Sequence, residues 1–87
     1  MIIDSPAYPV TEGDPLSLRC IYRSPPPDFH ANFFKDRSPL KNHTSGEMTI
    51  VAVSKKDEGY YHCDNRLKGM SPEVWVTVEG EASKIRF

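Results

Sequence analysis

The side chains with the widest chemical repertoire are two cysteines, Cys20 and Cys63, three histidines, His30, His43 and His62, and the run "DEGYYHCDNR" from Asp57 to Arg66. In that run an acid, two phenols, an imidazole and a thiol crowd into a few positions. Nucleophilic catalysis needs a base beside a serine or cysteine on a sharp turn, and phosphate chemistry needs a glycine-rich loop. Neither pattern occurs, nor do paired carboxylates placed for general acid–base work, so no enzyme and no cofactor are expected. The histidines fall on three separate segments, and the close Cys or His pairing of a zinc site is missing, which argues against a metal. What remains is oxidation of the two thiols, and that depends on the elements that carry them.

Those elements are strands. Eight prolines and five glycines break the chain too often for helices of ordinary length. Between the breaks the apolar residues alternate. "PLSLRCIY" places Leu16, Leu18 and Cys20 on one face, "ANFFK" puts Ala31 and Phe33 in phase, and "EMTIVAV" does the same for Met48 and Ile50. In "EVWVTV" Val74, Val76 and Val78 share a face and Trp75 and Thr77 take the other. Many short strands with turns between them predict an all-β sandwich or barrel. Cys20 and Cys63 both take the inward phase, about 43 residues apart. One bridge between facing sheets is the reading that fits, with a pair of buried free thiols as the alternative; a bridge implies an oxidising compartment. In "DEGYYHC" Asp57, Gly59, Tyr61 and Cys63 alternate. That spacing is the tyrosine corner, in which Tyr61 is buried and its hydroxyl returns to the chain entering the strand. Gly59 is expected to allow close backbone passage there, and Asp57 to accept hydrogen bonds in the preceding turn.

Eighty-seven residues make one domain with a small core. A formal net charge of -1 gives no electrostatic reason to bind nucleic acid or anionic lipid. No apolar run approaches about 18 residues, and no basic-then-apolar leader opens the chain. If the domain is extracellular, it is an excised module whose leader, neighbouring domains and any anchor lie elsewhere; the domain is expected at 1–80 and a linker or tail at 81–87.

With L-x-L-x-C in "LSLRC", "MTIVAV" and D-x-G-x-Y-x-C in place, the sequence resembles an immunoglobulin domain, a two-sheet sandwich with one inter-sheet disulfide. The tryptophan usual beside that disulfide is replaced by Phe33 in "FFKD". The short cysteine separation fits the constant-like or intermediate types better than the variable type. "PVTEGDPLSLRC", "FFKDRSPLK" and "GEMTIVAVSKKDEGYYHC" are similar, more specifically, to extracellular domains of Fc receptors and Fc receptor-like proteins, especially those of bony fishes. The resemblance implies an extracellular domain of a cell-surface or secreted leukocyte receptor, with adjacent immunoglobulin domains in the same chain and no direct membrane contact. It also implies a protein ligand, immunoglobulin Fc of the IgG or IgM kind. In that family the ligand meets loops at one end of the second domain and the exposed face of the C, C′, F and G strands. A spacer or cell-adhesion domain of the same fold, without a ligand of its own, is the alternative.

Carried over by position, the loops are "RSPPPDF" (Arg23 to Phe29), "NHTSGE" (Asn42 to Glu47) and "NRLKGMSP" (Asn65 to Pro72). Three successive prolines hold Arg23 and Phe29 on a stiff loop, which also serves a loop merely braced between strands. Arg66, Leu67, Lys68 and Met70 mix charge with exposed apolar surface around a turn at Gly69, as a contact loop or a plain hairpin would. Trp75 points outward, either to a partner or onto a cross-strand side chain such as Lys35. "NHT" makes Asn42 an N-glycosylation acceptor.

Overall fold

The computed structural model describes residues 1–24, 31–40, 43–44 and 46–80, with side chains throughout except at 43–44. Its centre is set by the best alternation in the chain. In β3, Leu16–Ile21, inward and outward residues alternate without a break, so Leu16, Leu18 and Cys20 are buried. β1 (Ile2–Asp4) pairs antiparallel along one side of it, bringing Ile3 opposite Cys20. β7 (Glu47–Ile50) pairs along the other side, and β6 (His43–Thr44) closes that edge. The sheet order β1-β3-β7-β6 is the A-B-E-D order of an immunoglobulin sandwich. "NHTSGE" is therefore not wholly loop, since its centre and its last residue enter short strands. β7 is shorter than "EMTIVAV" suggests. A bend at Val51 and Ala52 reverses the phase, leaving Val51 exposed and Val53 buried. The bend holds because Val53 N–H donates to Asp14 O at 3.0 Å and Val53 O accepts from Gly13 N–H at 2.9 Å.

The facing sheet is built on β8, Gly59–Asn65. β4 (Asn32–Lys35) pairs with it on one side and carries β5 (Ser38–Pro39) beyond; β10 (Val74–Val76) pairs on the other. β9 (Gly69–Met70) extends β8 into a hairpin. Among the described residues this sheet has one strand more than the constant type and not the second addition of the variable type, which places the fold between them.

Prolines explain how the chain changes sheets. Pro6 and Pro9 cannot donate to a ladder, so pairing stops after β1 and resumes in β2, Val10–Thr11, on another partner. That partner is β11 (Val78–Glu79), which pairs with β2 in parallel, and Val10 N–H reaches Thr77 O at 2.9 Å. The run "EVWVTV" is thus divided at Thr77 between two sheets. Its inward valines remain in phase, with Val76 and Val78 buried and Val74 packed at the core's margin. Between the sheets lie Leu16, Leu18, Phe33, Tyr61, Val78 and the Cys20–Cys63 disulfide, all buried.

The β4–β5 turn carries strain that the sequence does not advertise. Asp36 (φ 49°) and Arg37 (φ 71°) both lie in the left-handed region, the geometry of a two-residue hairpin turn that normally takes glycine. Each such residue costs about 1 kcal/mol or more. Asp36 offsets this with three bonds: its N–H donates to Tyr60 O at 2.7 Å, Oδ1 accepts from Tyr60 N–H at 3.0 Å, and Oδ2 accepts from Lys35 Nζ at 3.0 Å. Gly59 makes room for it, since a Cβ there would sit 2.8 Å from Asp36 Oδ2. What passes close to Gly59 is therefore a carboxylate and not the backbone.

The Tyr60 N–H and then Lys35 hold the Asp36 carboxyl below its ordinary value of 3.8. A depressed folded-state value means the stabilisation is fully present above 3.8 and is lost as pH falls through the lower, folded-state value. Asp36→Asn keeps the turn's shape and removes the charge. Its Tm is expected below that of the parent at neutral pH, with the gap closing once the pH falls well below 3.8. Thermal unfolding across that range measures it, and a gap independent of pH would refute a role for the charge.

Candidate functional site

The corner before β8 fixes where that strand's side chains point. Ser54 N–H and Oγ meet Asp57 Oδ2 at 2.8 and 3.3 Å, closing a short 3-10 turn over Lys55–Asp57. The Tyr61 hydroxyl donates to Asp57 O. Asp57 thus orders the turn with its carboxylate and receives Tyr61 with its carbonyl. Burial, and then the nearby Asp57 and Asp36 charges, push the Tyr61 phenol well above its ordinary range, so it stays a donor. Next to this corner Glu58 Oε1 accepts from Val78 N–H at 2.9 Å and Lys55 Nζ donates to Val78 O at 2.8 Å, tying the corner to β11.

With Tyr61 and Cys63 turned inward, the outer face of β8 must carry Tyr60, His62 and Asp64. Each meets a neighbour across the sheet. Tyr60 lies opposite Trp75, their rings edge to face with centroids 4.8 Å apart. Half of Trp75 (50%) and of Tyr60 (49%) stays exposed. The cross-strand cover of Trp75 is therefore Tyr60, not Lys35, whose ammonium is engaged by Asp36. His62 lies opposite Phe34, the rings parallel within 6° at 4.6 Å, and Asn32 Nδ2 donates to Asp64 Oδ1 at 3.3 Å. The outer face of β10-β8-β4-β5 is thus an aromatic surface with acid and amide at its margin.

The β8–β9 hairpin stands at one end of this face. Asn65 is buried, and its Oδ1 accepts from Leu67 N–H at 2.8 Å and Lys68 N–H at 3.1 Å, while Gly69 takes φ 90°. Behind it Ser71 Oγ accepts from Cys63 N–H at 3.0 Å and donates to Pro72 O at 3.1 Å. The backbone is thereby pinned, while the side chains of Arg66, Leu67, Lys68 and Met70 all project into solvent. Arg23 follows β3 at the same end, where Tyr22 OH meets Asn65 Nδ2 at 3.5 Å.

The candidate residues accordingly fall into two groups. Arg23, Arg66, Leu67, Lys68 and Met70 gather at the hairpin end. Trp75 lies further along the sheet, because Met70 pairs with Asp64 and Trp75 with Tyr60, four residues apart on β8 or about 13 Å at strand rise. Phe29 and Asn42 lie outside the described residues. Sequence reasoning gave Tyr60, Phe34 and Glu73 no role and weighed His62 only as a metal ligand. The signal was available, since residues alternating with Tyr61, Cys63 and Phe33 must face outward.

A profile described as the immunoglobulin domain matches residues 1–78. The chain is 36% identical over 75 residues to Fc receptor-like A of Homo sapiens, an alignment that spans 85% of this chain and 21% of that protein. Fc receptor-like A of Rattus norvegicus is 32% identical over 73 residues, spanning 83% and 21%. The chain thus spans about a fifth of the length of these curated relatives. Among solved structures, the second Ig-C2 domain of human Fc-receptor like A superposes with a TM-score of 0.72 at 24% identity, over 91% of this chain and 95% of that one. The N-terminal four immunoglobulin domains of a Dscam1 isoform give 0.69 at 25%, over 88% and 20%.

Proposed function

We propose, since the chain belongs to the immunoglobulin domain family and is related to Fc receptor-like proteins, that it is a ligand-binding domain of an extracellular immune receptor and contributes to binding immunoglobulin Fc. One observation carries this reading: Trp75 and Tyr60 stand half exposed, edge to face, on the outer face of β10-β8-β4-β5. A tryptophan in that position leaves apolar surface in water, and tryptophan and tyrosine are the residues most enriched at binding hot spots. The pinned hairpin adds Arg66, Leu67 and Met70 at one end, with little backbone freedom left to lose on binding. The disulfide is consistent with an oxidising, extracellular setting.

Surface plasmon resonance over immobilised antibody Fc of the same species tests the proposal. The domain is expected to bind saturably. Trp75→Ala is expected to weaken binding by about 2 kcal/mol or more, roughly thirtyfold, while the lost contact with Tyr60 lowers Tm only modestly. Arg66→Ala is expected to have a smaller effect if the hairpin forms the edge of the contact. Absence of binding up to about 100 μM, roughly 5.5 kcal/mol, would replace the reading with a spacer or adhesion domain. In that case Trp75 would be covered by a neighbouring domain.

A further inference from the structure

Beside the Trp75–Tyr60 pair the same face holds a depression between β4, β8 and the chain entering β10. Phe34 and His62 line it as a parallel stack, with Met70, Asp64, Glu73 and Arg37 around it. Two features mark it out from an ordinary groove. First, His62 is only 5% exposed, yet its Nδ1 has no hydrogen-bond partner among the described residues. Glu73 Oε2 lies 4.0 Å from it, beyond hydrogen-bond reach. A buried polar atom left unpaired is unfavourable unless something else completes the site. Second, two carboxylates, Asp64 and Glu73, face one cation, and Arg37 makes no ion pair with either of them. Among Asp64, Glu73 and Arg37 the lining carries one excess negative charge.

Aromatic walls, two carboxylates and an excess negative charge select for one kind of side chain. A guanidinium is planar, so it can lie along an aromatic face, and its forked donors can pair with a carboxylate through two bonds. An ammonium is more strongly hydrated and cannot stack. A carboxylate would be repelled by Asp64 and Glu73, and an aliphatic side chain would leave Glu73 and His62 buried without partners.

We propose that this depression receives one arginine side chain from a protein partner, with the guanidinium held by Glu73 and Asp64 against the ring system beside Tyr60 and Trp75. The proposal rests on the reading that this sheet face meets a ligand, and it specifies the chemistry that the face would recognise.

The test uses the isolated chain labelled with nitrogen-15 and four probes: N-acetyl amides of arginine, lysine, leucine and glutamate. Blocked arginine is expected to produce saturable amide shifts at Asp64, Met70 and Glu73, to bind more tightly than blocked lysine, and to bind well above blocked leucine or glutamate. Glu73→Gln should weaken the arginine probe about fivefold or more, as expected for a charge-assisted pair near the surface. Arg19→Ala, on the outer face of the opposite sheet, should leave it unchanged. No saturable shift, an equal response to leucine, or indifference to Glu73→Gln would overturn the proposal. If the arginine probe fails while Trp75→Ala still weakens Fc binding, the depression alone is refuted. If the probe binds as described but Fc does not, the arginine site stands and the Fc reading falls.

Discussion

Replacing Cys20 and Cys63 together by alanine is expected to lower the unfolding free energy by roughly 4 kcal/mol. The two half-cystines are 43 residues apart in sequence and join the centre of one sheet to the centre of the other. Closing a loop of that length removes conformational freedom from the unfolded chain and leaves the folded state nearly unchanged. A domain of this size has a total stability on the order of 5–10 kcal/mol, so the loss multiplies the unfolded population roughly a thousandfold and, at the lower end of that range, leaves the domain only marginally folded. Urea unfolding of the parent and the double variant measures the difference. Alanine is preferred to serine because a hydroxyl buried beside Leu18 and Phe33 would add a penalty of its own. A loss below about 1 kcal/mol would show that the apolar core holds the sheets together unaided, contrary to the chain-entropy argument. The functional consequence concerns location. A domain that depends on this bond should reach its full folded population only in an oxidising compartment.

The sandwich was legible in the sequence because each sheet has one wet and one dry face. In "LSLRC" and "DEGYYHC" every second residue therefore had to be apolar or special, and parity alone placed Tyr61, Cys63, Phe33 and Trp75 on their correct sides. Features set by contacts between distant segments were not legible. The division of "EVWVTV" at Thr77 depends on where β2 lies, and the reversal at Val53 depends on Gly13 and Asp14. Gly59 is required by a carboxylate that arrives from Asp36, 23 positions earlier. The left-handed turn at Asp36 and Arg37 lacks the glycine that would have announced it. At the candidate site, the outward turn of Trp75 was readable but its partner was not, because register decides which β8 residue faces it. Glu73 and His62 looked like unrelated surface residues until β8 and the approach to β10 were brought side by side.

Phe33→Ala is expected to destabilise the domain by about 3–5 kcal/mol, the usual result of emptying a fully buried aromatic site. Phe33 has no exposed surface and pairs across the ladder with Cys63, on the strand where antibody domains carry tryptophan. The small core offers few neighbours able to collapse into the space, which favours the upper half of that range. Phe33→Trp is not the reverse of this change. The space is shaped for a smaller ring, and the indole N–H would enter an apolar part of the core, so a loss of about 1–3 kcal/mol is expected although antibody domains carry tryptophan there. Urea unfolding of both variants, with the disulfide intact, measures these losses. A neutral Phe33→Trp would mean that the core can move aside for the larger ring. The outer face gives a second readout, because Phe34 follows Phe33 and holds His62 in its stack. Perturbing residue 33 should therefore move the amide signals of His62 and Glu73, even in conditions where the domain remains folded. Trp75→Ala should do the opposite, impairing binding far more than stability. If both variants instead lost binding only in proportion to their unfolded fraction, the exposed aromatic face would be a feature of the fold alone and the partner-binding proposal would fail.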